Sequence, residues 1–354
     1  MTAFYCDYIN RAIAFNEDKI LYCTIGNNAQ NKKLPIIRTN FDGSIEDLER
    51  VLEKIREHRN NLKEGIAPDF CKGCYLLKEV NGEYPDVNEE LKYVLLSNWY
   101  ACNSKCVYCC KHEKSHWVKD ENKFLKEEQR ETYNIVPVIK YMISKGMITE
   151  NTTVDFAGAA GEPTLYKYFD EIIQLLIDAK VAKIVIHTNA IRYNKLIEYG
   201  ISIGLIDIVV SIDAGSKHVH RIIKQVNTYD KVWKHIQKYA KAKCPLSNNS
   251  VTTKYIIVPE INDNIEEISK FVQKSKASGV TKLILNADDR IYRKDVEESY
   301  QEKLLQLTEF FVDLAKKNHF RYYLFSGVFL PYWNLEHKLK CVFPQYKESE
   351  SVFE

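Results

Sequence analysis

The chain carries almost no net charge. Fifty Lys and Arg stand against 48 Asp and Glu in 354 residues, a formal +2. That balance gives no electrostatic argument for a nucleic-acid or membrane-surface partner. Lysines do recur at helical spacing, at Lys231, Lys234, Lys238 and Lys241, and a solvated helix face accounts for them. No apolar run approaches the ~20 residues that a membrane-spanning helix needs. The opening Met1-Thr2-Ala3-Phe4-Tyr5-Cys6-Asp7 lacks the basic flank and apolar stretch of a signal peptide. Internal repeats and low-complexity segments are absent. The expected location is the cytoplasm, where thiols stay reduced.

Against these absences stand ten cysteines. In a reducing compartment that number points to metal binding or catalysis before disulfides. Four lie early, at Cys6, Cys23, Cys71 and Cys74, and four are bunched at Cys102, Cys106, Cys109 and Cys110. Cys244 and Cys341 stand alone, as ordinary core cysteines often do.

Two parts are legible along the chain. Residues 1 to about 90 hold the early cysteines and one amphipathic helix candidate, Ser44 to Leu62. Its apolar positions Leu48, Val51, Leu52 and Ile55 fall at helical spacing, and Ser44 suits the N-cap with Asp47 three residues on. Val80 to Glu90 reads as a polar connection. From residue 92, short β-branched runs alternate with longer helical patterns. The predicted strands are Tyr93–Leu96, Thr153–Phe156, Lys183–His187, Ile206–Ile212, Thr253–Val258 and Lys282–Leu285. The predicted helices are Glu127–Ser144, Tyr168–Ala179, Tyr193–Gly200, Tyr229–Ala242, Ile265–Ser278 and Ser299–Lys317. Such alternation argues for parallel β/α units, six of which would make a partial (β/α) barrel with function at the carboxyl ends of its strands. The aromatic stretch Leu324 to Cys341 would add a last strand or cover the barrel mouth.

The strongest chemical signal is Ala101-Cys102-Asn103-Ser104-Lys105-Cys106-Val107-Tyr108-Cys109, just after the first of these strands. Three thiolates on one loop suit three irons of a cubane cluster, leaving the fourth iron open. Spacing alone also allows a zinc site.

The loop resembles the cluster motif of the radical S-adenosylmethionine (SAM) superfamily, three cysteines with an aromatic residue, here Tyr108, before the last. The resemblance runs through most of residues 92–290. After the second strand, Ala160-Gly161-Glu162-Pro163 is similar to the family's Gly-Gly-Glu-Pro, which holds the SAM amino group, with Ala160 in place of the first glycine. Thr188-Asn189-Ala190 is similar to its Thr-Asn-Gly, and Ser211-Ile212-Asp213-Ala214 to its Ser-(Ile/Leu)-Asp-Ala. Turn formation at strand ends is the plainer account of each motif singly; their order along the chain favours the family.

The resemblance implies an α/β partial barrel over residues 91–290, followed by a C-terminal helix and barrel-covering segment at 291–354. It implies a [4Fe–4S] cluster on Cys102, Cys106 and Cys109. SAM would lie against Tyr108, Gly161, Glu162, Pro163, Thr188, Asn189, Ser211 and Asp213. An electron, from a donor such as flavodoxin or ferredoxin, would cleave SAM to methionine and a 5′-deoxyadenosyl radical that takes hydrogen from the substrate.

Cys71-Lys72-Gly73-Cys74, with Cys6 and Cys23, makes a four-thiolate set in residues 1–90. It resembles the SPASM-type auxiliary-cluster module, although that module usually follows the barrel. A second Fe–S cluster, structural zinc and metal-free cysteines remain alternatives here.

The expected activity is that of a radical SAM oxidoreductase or modifying enzyme. Its substrate would be a peptide or protein side chain, or a sugar-type small molecule; residues 1–90 show no clear winged-helix pattern for a leader peptide. The other class is a non-enzymatic Fe–S or zinc sensor or scaffold. Methylation by SAM without radicals would call for a glycine-rich loop after the first strand, where this chain has cysteines. Catalytic side chains are not legible in the sequence. Cys110 reads as a bystander, with hydrogen donation or ligation as the alternative, and Tyr322, Tyr323, Phe325 and Trp333 as aromatic core, with lining of the substrate pocket as the alternative.

Overall fold

A computed structural model of the chain describes residues 2–16, 19–21, 38–68, 71, 74, 77–85, 88–109, 133–156, 161–288 and 298–324. These fall into two compact units. The first is built from residues up to 100 together with 133–185, the second from 101–109 together with 186–324.

The first unit begins with β1 (Ala3–Tyr5), α1 (Asp7–Arg11), β2 (Ala12–Asn16), β3 (Lys19–Leu21), β4 (Arg38–Asn40), α2 (Ile45–Lys63) and β5 (Lys78–Val80). It continues with β6 (Tyr93–Ser97), α3 (Val136–Ser144), β7 (Thr153–Phe156) and α4 (Phe169–Asp178). Strands β2, β6 and β7 run parallel side by side, while β3 and β4 extend the sheet antiparallel beyond β2. β1 and β5 form a separate antiparallel pair.

α2 starts where its cap signal lies. Ser44 is extended, and its hydroxyl accepts from the Asp47 amide at 3.1 Å. Leu48, Val51, Leu52, Ile55 and Leu62 form its buried stripe. α3 begins later than expected, with Pro137 in its first turn, where a missing amide costs nothing; residues 127–132 of that predicted helix lie outside the described residues. β2 was not expected. Five residues containing two alanines give little strand signal, yet all but Asn16 are buried and the run pairs with β6 along its whole length. Trp99 and Phe156 stack at 6.0 Å between centroids in this unit's core.

β8 (Lys183–Thr188) leads into the second unit, which holds α5 (Lys195–Ser202), β9 (Ile206–Ser211), α6 (Lys217–Lys224), α7 (Tyr229–Ala242) and β10 (Val251–Ile257). It ends with α8 (Ile265–Ala277), β11 (Lys282–Ala287), α9 (Glu298–Lys317) and β12 (Arg321–Leu324). Strands β9 to β12 run parallel in sequence order. This is the α/β arrangement with a parallel sheet that strand–helix alternation predicted. Its core gathers Ile208, Val210, Ile236, Phe271, Leu283, Leu285 and Phe311, all fully buried. Each such side chain contributes roughly 1.5–3 kcal/mol on removal from water. Only the first residue of the Leu324–Cys341 stretch is described, as the end of β12.

α6 went unrecognised in the sequence. Lys-His-Val-His-Arg-Ile-Ile-Lys has one apolar pair at i,i+4, Val219 and Ile223, and its buried face also carries His220 and Lys224. A polar side chain on the inner face of a helix is invisible to apolar periodicity. Among the described residues no helix is long and apolar enough to cross a membrane.

Candidate active site

The second unit carries the cysteine loop. Cys102, Cys106 and Cys109 are each partly exposed and outside any disulfide. A turn joins the last two, with the Cys109 amide donating to the Cys106 carbonyl at 3.0 Å. The loop rests on the C-terminal end of α6. Lys105 N donates to Lys224 O at 3.1 Å and Val107 N to Ile223 O at 2.9 Å. Carbonyls of a last helical turn have no partner within their own helix, so the loop satisfies the helix while the helix holds the loop. The side chains of Val107 and Tyr108 pack on the apolar cluster of Ala214, Val219, Ile223, Ile256 and Val258.

A buried polar network fixes Tyr108. Its hydroxyl donates to Asp213 Oδ2 at 2.5 Å and accepts from Lys224 Nζ at 2.8 Å, and Lys224 also pairs with Asp213. Asp213 Oδ1 accepts the Ile256 amide at 2.9 Å, and Asn262 donates to the Asp213 carbonyl at 2.8 Å. Asp213 holds a left-handed backbone, φ +58°, where the chain leaves β9. That conformation is uncommon outside glycine, and Asp is among the few residue types enriched in it. The turn then passes so close to α8 that a Cβ on Gly215 would lie 2.1 Å from the Glu267 carbonyl, so glycine is required there.

These contacts set the local electrostatics. Burial, the Asp213 carboxylate and Cys106 push the Tyr108 phenol well above its usual range. Burial disfavours the Lys224 ammonium, but Asp213 and Cys106 outweigh it and hold it above its ordinary value. Lys254, on β10 opposite Ser211, is lowered by burial and by Lys224, against the pull of Asp213.

Asn189, at the end of β8, also faces the cysteine loop. Its Nδ2 donates to Asn103 Oδ1 at 2.6 Å and lies 3.4 Å from Ser104 Oγ and 3.9 Å from Cys102 Sγ. Its Oδ1 accepts the Ile191 amide, and Thr188 Oγ1 accepts that of Ala190, each at 2.9 Å. Ser211 is half-buried at the end of β9.

The first unit carries Gly161, Glu162 and Pro163. Glu162 is buried and caps the short 3₁₀ turn Pro163–Leu165; Thr164 donates to its carboxylate through the amide at 3.3 Å and the hydroxyl at 2.6 Å. Ala160 lies outside the described residues. In the same unit Cys6 and Cys71 are buried in one apolar cluster with Tyr8, Ile9, Ala12 and Leu62. Cys74 follows Cys71 through a turn, its amide donating to the Cys71 carbonyl at 3.0 Å. Cys23, Cys110, Cys341, Phe325 and Trp333 lie outside the described residues.

The three loop thiols suit a four-iron cluster chemically. They provide three soft anionic ligands and leave one iron without a protein ligand. Beside them Asn103 is buried, and its Nδ2 has no hydrogen-bond partner among the described residues. An amide donor in that position suits the sulfur atoms of a cluster, which accept such bonds. Among the described residues no three His, Cys, Asp or Glu side chains are grouped to hold a single metal ion; a cubane spreads its three thiolates over three irons. The positions that the sequence did not reveal are Lys224 and Lys254. Each looked like one more lysine, and only the fold brings Lys224 to Tyr108 and Asp213 and partly buries Lys254 on β10 beside Ser211.

Comparison with known proteins bears on the same segment. Residues 99–272 match the Radical SAM superfamily, a span that includes the cysteine loop, Gly161-Glu162-Pro163, Thr188-Asn189 and Ser211 to Asp213. The GTP 3′,8-cyclase of Aliarcobacter butzleri (strain RM4018) is 24% identical over 178 residues, covering 50% of this chain and 51% of that protein. Among solved structures, Streptococcus suis SuiB bound to its precursor peptide SuiA is similar in fold, with a TM-score of 0.50 and 16% identity over 88% of this chain and 62% of SuiB. SuiB bound to S-adenosylmethionine aligns with a TM-score of 0.49 and 15% identity over the same shares of the two chains. The match thus spans about half the length of the curated relative. Residues 99–272 thus carry a radical SAM superfamily domain.

Proposed function

We propose that this chain is a radical SAM oxidoreductase or modifying enzyme, with Cys102, Cys106 and Cys109 as the ligands of a SAM-binding [4Fe–4S] cluster. A reduced four-iron cluster held there would supply the electron for cleaving SAM to methionine and a radical able to take hydrogen from a substrate. The observation that carries the reading is the cysteine loop, docked on the end of α6 with the unsatisfied Asn103 amide beside Cys102.

The remaining work falls to the chain's own residues. Tyr108, held by Asp213 and Lys224, keeps the loop pressed on an apolar wall that excludes water. Asn189 fixes the first half of the loop through Asn103 and Ser104. Gly161, Glu162, Pro163, Thr188 and Ser211 would offer backbone and side-chain polar groups to the amino, carboxylate and ribose groups of SAM, whereas Asp213, buried with both carboxylate oxygens engaged, anchors Tyr108 instead. Residues 91–290 form the functional core in this reading, residues 1–90 an auxiliary segment and residues 291–354 a covering segment. Cys6, Cys23, Cys71 and Cys74 bind a second, SPASM-like cluster. The electron donor is a flavodoxin or ferredoxin, and the enzyme works in the cytoplasm.

The substrate proposed is a peptide or protein side chain, with a sugar-type small molecule as the second reading. SuiB, whose fold is similar, has been solved with a precursor peptide, and this supports the first.

Anaerobic reconstitution with iron and sulfide, followed by dithionite and SAM, tests the class. Formation of 5′-deoxyadenosine and methionine is expected. A protein that holds only zinc and never cleaves SAM overturns the reading in favour of a sensor or scaffold.

A further inference from the structure

Lys224, the last residue of α6, grips the cysteine loop in two ways. Its backbone carbonyl and that of Ile223 receive the amides of Lys105 and Val107, which flank Cys106. Its ammonium donates to the Tyr108 hydroxyl at 2.8 Å and lies 5.3 Å from the centre of the Tyr108 ring. Of the residues so fastened, Val107 and Tyr108 are the two that separate Cys106 from Cys109, and Lys105 directly precedes Cys106.

The counter-charge is Asp213. The two side chains are 3% and 0% exposed, and they bond to each other and to Tyr108. Burying an ion pair is a poor way to stabilise a fold, because desolvation consumes most of the Coulombic gain. Apolar side chains of the same volume would pack the α6–β9 junction at least as well. A buried cation at this place therefore calls for an account other than stability.

We propose that Lys224 is a positioning residue for the metal-cluster loop, holding Tyr108 to set the Cys106–Cys109 geometry and balancing the buried Asp213 carboxylate beneath the loop. The inference rests on the reading of Cys102, Cys106 and Cys109 as cluster ligands. Removing the ammonium would leave the Asp213 carboxylate uncompensated beneath the loop, a change toward negative charge that disfavours the more reduced state, so the cluster's reduction potential is higher with Lys224 than without it.

The test compares wild type, Lys224→Met, Lys224→Arg and Tyr108→Phe after anaerobic reconstitution. The readouts are iron per chain, the electron paramagnetic resonance spectrum of the reduced cluster, and its midpoint potential by redox titration. Lys224→Met is expected to retain less iron, to show changed g-values and to titrate at a lower potential. Lys224→Arg is expected to restore potential and spectrum toward wild type, which a mere packing role would not predict. If Lys224→Met fails to fold by circular dichroism, Tyr108→Phe carries the test. It leaves the Lys224–Asp213 pair intact and removes only the hydroxyl link, and altered g-values are expected. Variants that match wild type in all three readouts, in a wild type that holds its cluster, overturn this proposal alone. A wild type that takes up no four-iron cluster overturns it together with the reading on which it rests.

Discussion

The two cysteine-bearing regions are built on opposite physical terms. Cys102, Cys106 and Cys109 are partly exposed on a loop fastened by amide-to-helix bonds, an Asn–Asn contact and a buried Tyr–Asp–Lys network. Cys6 and Cys71 are buried among Tyr8, Ile9, Ala12 and Leu62, and of the described cysteines of this region only Cys74 is partly exposed. The first arrangement presents sulfur toward a site whose geometry other groups maintain. The second makes sulfur part of the apolar core, where a cysteine behaves as a small hydrophobe unless metal claims it. Similar cysteine content in two segments thus meets two environments, and the environment decides which sulfur is available for chemistry.

The sharpest way to break that comparison is Cys106→Ala. It should abolish 5′-deoxyadenosine formation and remove the loop cluster, leaving about four irons of an expected eight if both sites hold cubanes. Unchanged SAM cleavage would end the assignment of the loop.

The complementary change, Cys71→Ala with Cys74→Ala, should also lower iron from about eight to about four per chain. A wild type that holds only four irons, with no loss in the double variant, would leave the first region as the only cluster site and return Cys6 and Cys71 to the core.

A smaller effect separates the polar junction around the loop from ordinary core. His220 is buried on α6, its Nδ1 has no partner among the described residues, and burial followed by Lys224 lowers its pKa from 6.5 to about 4. As pH falls the unfolded chain takes up this proton first. The stability supplied by the neutral ring is therefore full above pH 6.5 and declines toward pH 4, by at most about 3 kcal/mol. Urea unfolding across that range should show the decline, and His220→Gln should flatten it. Equal slopes would show that α6 carries no such buried titratable group.

The smallest effect belongs to α2, in the first unit. Ser44→Ala removes the side-chain acceptor of the Asp47 amide. It should lower stability by about 1 kcal/mol in urea unfolding, with iron content unchanged. A change in iron content would link the helix to the early cysteines.

Much of the site was legible in the residues because short-range chemistry writes it. Cys102, Cys106 and Cys109 lie on one loop, so their spacing alone brought them together. Thr188 and Ser211 end β8 and β9, and Asp213 closely follows β9, where apolar alternation placed the strand ends. The cap at Ser44 depended on three residues of sequence and proved correct. β2 and α6 were missed for a different reason. β2 is too short to show a period, and the inner face of α6 carries His220 and Lys224, polar residues that apolar periodicity does not count. Asn189 was expected to face SAM; in the structure its side chain reaches Asn103 and Ser104.

What the sequence by itself determined is the family, the order of β/α units and the three thiolates, all of which depend on neighbours in the chain. Only the tertiary structure decided that Lys224, 118 residues after Cys106, stands beneath the loop and closes a network with Tyr108 and Asp213. The reason is that a buried charge has no local signature. Its energy depends on a partner brought to it by the fold, and neither hydrophobic periodicity nor motif spacing encodes that meeting.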